Sequence, residues 1–225
     1  MSLDDVRQGV QARLAAKHQA REVGLGNARQ ATRRCANAIR AVHRGELEVA
    51  DRLLVEAREL LDVAEATLAA HPDVYYAGFL QDAQKEYAEG LATRALVAGA
   101  PLPPPEDAGV GDAPYLNGLA EAIGELRRHL LDRLRAGDVP RADELFRAME
   151  EIHAVLADVD FPDAMTGGLR RSTDVARSII ERTRSDLTLT VVQRDLADAL
   201  RRRADGGPGA ALLGELPGDR RDERA

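Results

Sequence analysis

The sequence predicts an all-α protein of about seven helices, and three observations carry that prediction. Aromatic residues make up only 3% of the chain and Trp is absent. Leu, Ala, Val and Ile must therefore fill the core, a palette that favours helix over sheet. Apolar residues recur at three- and four-residue intervals along most of the chain. The breaks between these runs hold Gly, Pro, Asp or Asn, residues that start and stop helices. With 225 residues, 44% of them hydrophobic, one domain with a sizeable core is expected.

Taken in order, residues 3–22 predict a polar first helix with Val6, Val10 and Leu14 at four-residue spacing. Asn27 can cap a second helix that runs to about Arg44, where Gly45 supplies the C-terminal stop. Glu46 to Ala70 predicts a long amphipathic helix on Leu47, Ala50, Leu53, Leu54, Ala57, Leu60, Leu61, Ala64 and Leu68. His71-Pro72-Asp73 breaks it, and a fourth helix is expected over Val74 to Ala98. The Pro/Gly-rich stretch 99–114 predicts an internal loop long enough for a crossover. Pro114 opens a fifth helix ending at Ala136, and Asp138 caps a sixth that runs to about Asp158, with Pro140 in its first turn. The break DFPDAMTGG (160–168) precedes a last helix, Leu169 to Arg203. The β-prone run Leu187–Val192 sits inside that helical period. The helical domain is thus expected over 1–204 and a disordered tail over 205–225.

Composition narrows the function classes. One cysteine, Cys35, excludes an internal disulfide and a zinc site of paired thiolates. No signal peptide or membrane span is apparent, so a soluble, cytoplasmic protein without a membrane partner is expected. The net charge of -7 argues against a uniformly basic coat, though not against a local basic stripe. Of the 31 basic residues only Lys17 and Lys85 are lysines. Arginine-rich composition fits a GC-rich genome with an acidic bias; it also fits guanidinium forks that grip phosphate.

Such a stripe exists. On the helix ending at Arg44, Arg29, Arg33, Arg40 and Arg44 fall within about 60° of one another at about 100° per residue. Ala28, Ala31, Cys35, Ile39 and Val42 lie opposite. Four arginines in line with no acid among them form a track that a sugar-phosphate backbone can follow. A solvated polar face, or pairing with acids of another helix, is the competing explanation. His43, beside Arg44, is read as a phosphate contact or as part of the helix end.

Two stretches carry paired carboxylates on adjacent helical turns: Glu86 with Glu89 in KEYAEG, and Glu121 with Glu125 in YLNGLAEAIGELRR. If the two helices face each other, four carboxylates converge, which is what an oxygen-rich Mg2+ or Mn2+ site needs. Glu86 lies at the edge of its helix's apolar face, where burial demands a cation, a donor or a raised pKa. Glu121 and Glu125 point almost opposite the seam Leu116, Leu119, Ile123, Leu126, Leu130 and Leu134. They read as surface acids unless another helix or an oligomer encloses that face. The five histidines do not pair with one another at helical spacing, and His129, four residues after Glu125, stands in the wrong register for Glu-x-x-His, which disfavours a di-iron site and HExxH zinc chemistry.

The segments AIRAVHRGELEVA (38–50), QKEYAEG (84–90), YLNGLAEAIGELRR (115–128) and DFPDAMTGGLRRSTDVAR (160–177), in this order and spacing, resemble the translin superfamily in its archaeal translin-like branch. The likeness runs from about Arg21 to Arg203. It implies a translin-like bundle of about seven helices that assembles into a closed octameric shell and binds single-stranded RNA or DNA. The subunit type called translin-associated factor X carries a Mg2+-dependent endoribonuclease site of four acids. By motif, the resemblance places those acids at Glu86, Glu89, Glu121 and Glu125, as metal ligands and catalytic residues, in a homo-oligomer. Glu121 stands where an aspartate is typical, so the extra methylene bears on activity more than on metal binding. Arg29, Arg33, His43, Arg40 and Arg44, with Arg127 or Arg128, would hold the nucleic-acid backbone. The rival expectation is a non-catalytic single-strand-binding oligomer.

Overall fold

In the computed structural model, which describes residues 2–204, every regular element is a helix. Nine occur among the described residues: α1 (Leu3–His43), α2 (Leu47–Leu68), α3 (Pro72–Tyr75), α4 (Phe79–Val97), α5 (Pro105–Ala108), α6 (Asp112–Arg135), α7 (Val139–Asp158), α8 (Asp163–Thr166) and α9 (Leu169–Ala204). Six are long, α5 and α8 are single turns within the expected breaks, and α3 is a single turn that spans the end of the expected break at 71–73 and the start of the helix expected from Val74. The expected tail, 205–225, lies outside the described residues. No helix among them is long and apolar enough to cross a membrane.

The all-α prediction holds, while several boundaries move. The first two expected helices are one, because α1 runs without interruption from Leu3 to His43. Ser2 starts it with a capping box: its hydroxyl accepts from the Asp5 N–H and its own N–H donates to the Asp5 carboxylate. Asn27 does not cap. It sits inside the helix and donates to the Val23 carbonyl at 2.9 Å. Gly24 stays helical because α2 packs on it; a Cβ there would come within 2.7 Å of Leu68.

The expected helix from Val74 is also two elements. Gly78, at φ +103, turns the chain between α3 and α4. Tyr76 therefore lies outside the helix whose apolar face it was expected to join, and it is 74% exposed. In the 99–114 connection α6 begins at Asp112, two residues before Pro114.

The chain divides into two compact units after Arg184. In the first, α1 packs on α2 and α4, α4 on α6, and α6 on α7. Small residues allow the close approach of α1, α2 and α4: Ala28, Ala31, Cys35, Ala38, Ala50, Ala57, Ala64 and Ala83 share one core with Leu54, Leu61, Leu68 and Leu80. The α2 stripe predicted from spacing is the buried one, through Ala50, Leu54, Ala57, Leu61, Ala64 and Leu68. Arg94 of α4 grips Asp51 of α2 through two hydrogen bonds of 2.6 and 2.7 Å. Arg141 of α7 donates to the last carbonyls of α4, those of Leu96 and Val97. Within the second unit, the helical stretch leaves Leu189, Val192, Leu196 and Leu200 exposed.

Candidate metal centre

Where α4 and α6 cross, Gly118 sets their separation. A Cβ at Gly118 would stand 2.6 Å from the Lys85 carbonyl oxygen and 2.9 Å from the Glu89 nitrogen. Both are backbone atoms, so any side chain here would force the helices apart. Gly118 and Ala122 share a face with Glu121 and Glu125, and both are buried. The face opposite the leucine seam is thus covered by α4 within the chain itself. The seam alone could not indicate this, because α6 packs on α7 as well and carries a broad buried arc.

This crossing brings three of the four glutamates together. Glu86, Glu89 and Glu121 each offer a carboxylate oxygen, and the three oxygens lie within 4.8 Å of one another. Burial raises the pKa of Glu86, and the Glu121 carboxylate adds to the rise. Burial, then the charges of Glu121, Glu86 and Glu125, push Glu89 up to about 8. Such a group of oxygen donors, more anionic than its surroundings can neutralise, fits a hard divalent cation. Among the described residues no histidine or cysteine joins it. Cys35 lies nearby on α1, and burial with the charges of Glu86 and Glu89 pushes its thiol up to about 12, which keeps the sulfur unreactive.

Lys85 is the cation that belongs to this group. Its ammonium meets Glu121 Oε1 at 2.6 Å, with the lysine side chain half-buried. Sequence reasoning noted Lys85 only as a rare lysine. Its place beside Glu86 and one turn from Glu89 was the available signal.

Glu125 is held elsewhere. Its Oε2 lies 2.5 Å from Nε2 of His43, at the last residue of α1. The His43 side chain is only 5% exposed, so the ring faces Glu125 rather than open solvent where a phosphate would approach. The hydrogen bond from His43, aided by the charge of Arg128, holds Glu125 below the ordinary carboxylate range despite partial burial.

The arginines divide. Arg29, Arg33, Arg40 and Arg44 are all exposed, and Ala28, Ala31, Cys35, Ile39 and Val42 opposite them are all buried. Arg44 grips Glu46 at 3.0 and 2.6 Å, while Arg40 donates to Asn37. Among the described residues no hydrogen bond or ion pair brings Arg29 or Arg33 to the glutamates. Arg127 donates to the Thr183 hydroxyl at 2.8 Å, and Arg128 is exposed.

A groove of about 800 Å3 opens beside the carboxylates, with Lys85 and Glu121 in its wall. Tyr75, Tyr76, Gln81, Asn117 and Ser172 also line it. Asn117 is fixed there: it donates to the Thr166 carbonyl at 2.8 Å and accepts from the Ser172 hydroxyl at 2.8 Å.

Comparison with known proteins gives a consistent set of relatives. No family model matches the chain. An uncharacterized protein of Methanocaldococcus jannaschii is 29% identical over 192 residues, which is 84% of each chain. The crystal structure of AfC3PO is 34% identical at a TM-score of 0.74, over 86% of this chain and 99% of that one. AfC3PO in complex with duplex RNA matches at the same identity with a TM-score of 0.73, covering 86% of this chain and 98% of that one. The apo form of NeC3PO, 20% identical over 84% of this chain and 97% of that one, shares the fold at a TM-score of 0.72.

Proposed function

The chain belongs to the translin superfamily, and from that premise we propose that it is a metal-dependent endoribonuclease working as a homo-oligomer on RNA. The observation that carries the proposal is the convergence of Glu86, Glu89 and Glu121 at the α4–α6 crossing, with Glu125 one turn further along α6. Glu86, Glu89 and Glu121 would hold the Mg2+ or Mn2+ ion. Bound there, the ion supplies Lewis acidity toward water and toward the scissile phosphodiester.

The chain's own residues supply the rest. Glu125, kept ionised by His43 and Arg128, is available to accept a proton from an attacking water. Lys85 leaves Glu121 for the incoming phosphate, whose negative charge replaces that of the carboxylate. The exposed ring of Tyr76 at the groove gives a nucleobase a face to stack on. The stripe Arg29, Arg33, Arg40 and Arg44, with Arg127 and Arg128, is assigned to the nucleic-acid backbone. AfC3PO has been seen with duplex RNA, so single-stranded RNA, single-stranded DNA and an RNA duplex are all substrates to compare.

The homo-oligomer, an octamer by family resemblance, is supported by Leu3, Val6, Val10 and Leu14. These residues form an apolar stripe along the start of α1 and stay exposed in the single chain.

A second reading, binding without cleavage, draws on the Lys85–Glu121 ion pair, in which a cation of the protein already satisfies one ligand. A single assay separates the two. The purified chain is incubated with end-labelled single-stranded RNA and Mg2+, alone, with EDTA, and as Glu86→Ala. The nuclease reading expects cleavage abolished by EDTA and reduced at least about 100-fold by the substitution. Retention of RNA without cleavage, unchanged in Glu86→Ala, establishes the binding reading instead. Cleavage that survives EDTA overturns the metal-dependent mechanism.

A further inference from the structure

The four glutamates are not equivalent, and the difference lies in a residue outside the four. The carboxylates of Glu86, Glu89 and Glu121 converge, whereas Glu125 is absent from that group and its Oε2 is engaged by His43. We infer that His43 is a positioning residue that fixes Glu125 as the base beside a three-glutamate metal cradle, rather than as a fourth ligand. This rests on the nuclease reading and assigns separate tasks within its site.

The hydrogen-bond inventory of the imidazole carries the argument. The His43 side chain is almost fully buried. Its Nε2 meets Glu125, and its Nδ1 is buried with no partner. A carboxylate oxygen accepts, so Nε2 must carry the hydrogen and donate. In the neutral ring Nδ1 then presents only a lone pair to its surroundings, which is easier to leave unpaired than a buried N–H. The direction of the bond is thereby set in either protonation state of the ring, and in the neutral ring so is the tautomer.

The backbone leaves the ring little choice of position. Ala41 and Val42, immediately before it, are fully buried. The C-cap Arg44 N–H closes the end of α1 on the carbonyls of Arg40 and Ala41. Ring and carboxylate come from different helices, 82 residues apart in sequence, so the bond also fixes the end of α1 against α6. One Glu125 oxygen is committed to His43. The other is left for a water, and the side chain remains 29% exposed, so a water can reach it. Arg128, His129 and Glu89 are charged or titratable groups near this pair, the His129 ring lying 6.4 Å from that of His43.

The test measures metal binding and cleavage separately, with circular dichroism to verify folding. Wild type, Glu121→Gln, His43→Ala and His43→Gln are titrated with Mn2+ and assayed on a labelled RNA oligonucleotide. His43→Ala is expected to bind Mn2+ within about threefold of wild type, while Glu121→Gln weakens binding at least about tenfold. His43→Ala should lose about 100-fold or more in kcat with KM little changed, the range of a misplaced general base. His43→Gln, whose amide can donate from near the Nε2 position, should recover at least about tenfold of that loss. In nitrogen-15 spectra the His43 Nε2–H signal should be visible in wild type and shift in Glu125→Gln.

If His43→Ala loses Mn2+ affinity as Glu121→Gln does, Glu125 belongs to the metal shell and the division of tasks is wrong. If wild type is active and His43→Ala cleaves at the wild-type rate, the inference alone falls. A wild type that binds RNA and never cleaves overturns the nuclease reading, and the role given to Glu125 goes with it.

Discussion

Glu89 carries the charge that the site tolerates least. It is pressed between burial and three other carboxylates, and its pKa rises from 4.5 to about 8. In the metal-free protein near neutral pH it therefore holds a proton that an incoming cation must displace. Mn2+ affinity is expected to climb about tenfold per pH unit below pH 8 and to level off above it, as titrations from pH 6 to 9 would show. The same group links stability to pH. Between the unfolded value of 4.5 and about 8, the folded chain binds more protons than the unfolded chain, so stability falls as pH rises through that window. Urea unfolding of the metal-free protein should show this decline, and Glu89→Gln should flatten it. Spacing made the glutamate pairs legible in the sequence. It could not rank them, because the angular position of Glu86 suggested burial, while the greater penalty falls on Glu89, which α6 covers. His43 was legible as a helix-end residue next to a basic stripe. Its partner lies on another helix, and no spacing rule reaches that far.

Among the elements, the α4–α6 crossing determines whether the site exists. Gly118→Ala places a methyl group against backbone atoms of α4, and no rotamer change can relieve that. We expect a loss of about 1–3 kcal/mol in urea unfolding, together with weaker Mn2+ binding as Glu121 moves away from Glu86 and Glu89. Gly124, on the same helix, is a control: nothing lies within 4 Å of its would-be Cβ. Gly124→Ala should stabilise the protein by about 0.5–1 kcal/mol. Equal effects from the two substitutions would argue against the close crossing. The helical content and most boundaries could be read from the periodicity. The continuity of α1 could not, since two glycines and an asparagine over 24–27 read as a stop signal. Packing of Leu68 onto Gly24 outweighs that local preference. Whether the face of Glu121 and Glu125 packs against another helix stayed open for a related reason: a leucine seam marks one buried face, and a second face buried through Gly118 and Ala122 leaves a weaker trace.

For the molecule as a whole, the start of α1 is an exposed apolar surface that a partner chain would cover. Leu3, Val6, Val10 and Leu14 project from a 41-residue helix whose later part is core. Size-exclusion chromatography with light scattering should give a mass several times the 24.3 kDa of one chain. Replacing Val6, Val10 and Leu14 with Ser should shift it toward the single-chain value without loss of helical signal. An unchanged mass would place the oligomer contact elsewhere. Family membership was readable from four segments in register. The way chains associate was not, because an exposed apolar stripe and a poorly buried helix end have the same pattern in a sequence.

The Lys85–Glu121 ion pair bears on how the protein experiences a chelator. In small zinc domains the ion is the folding energy, and stripping it unfolds the chain. Here the helices that carry the ligands are held by an apolar core, and the acidic cluster brings a tethered counterion of its own. On the proposed function, stripping the ion would therefore leave the fold in place. The site would fill and empty with the divalent supply while the scaffold stands still, and activity would report the ionic surroundings.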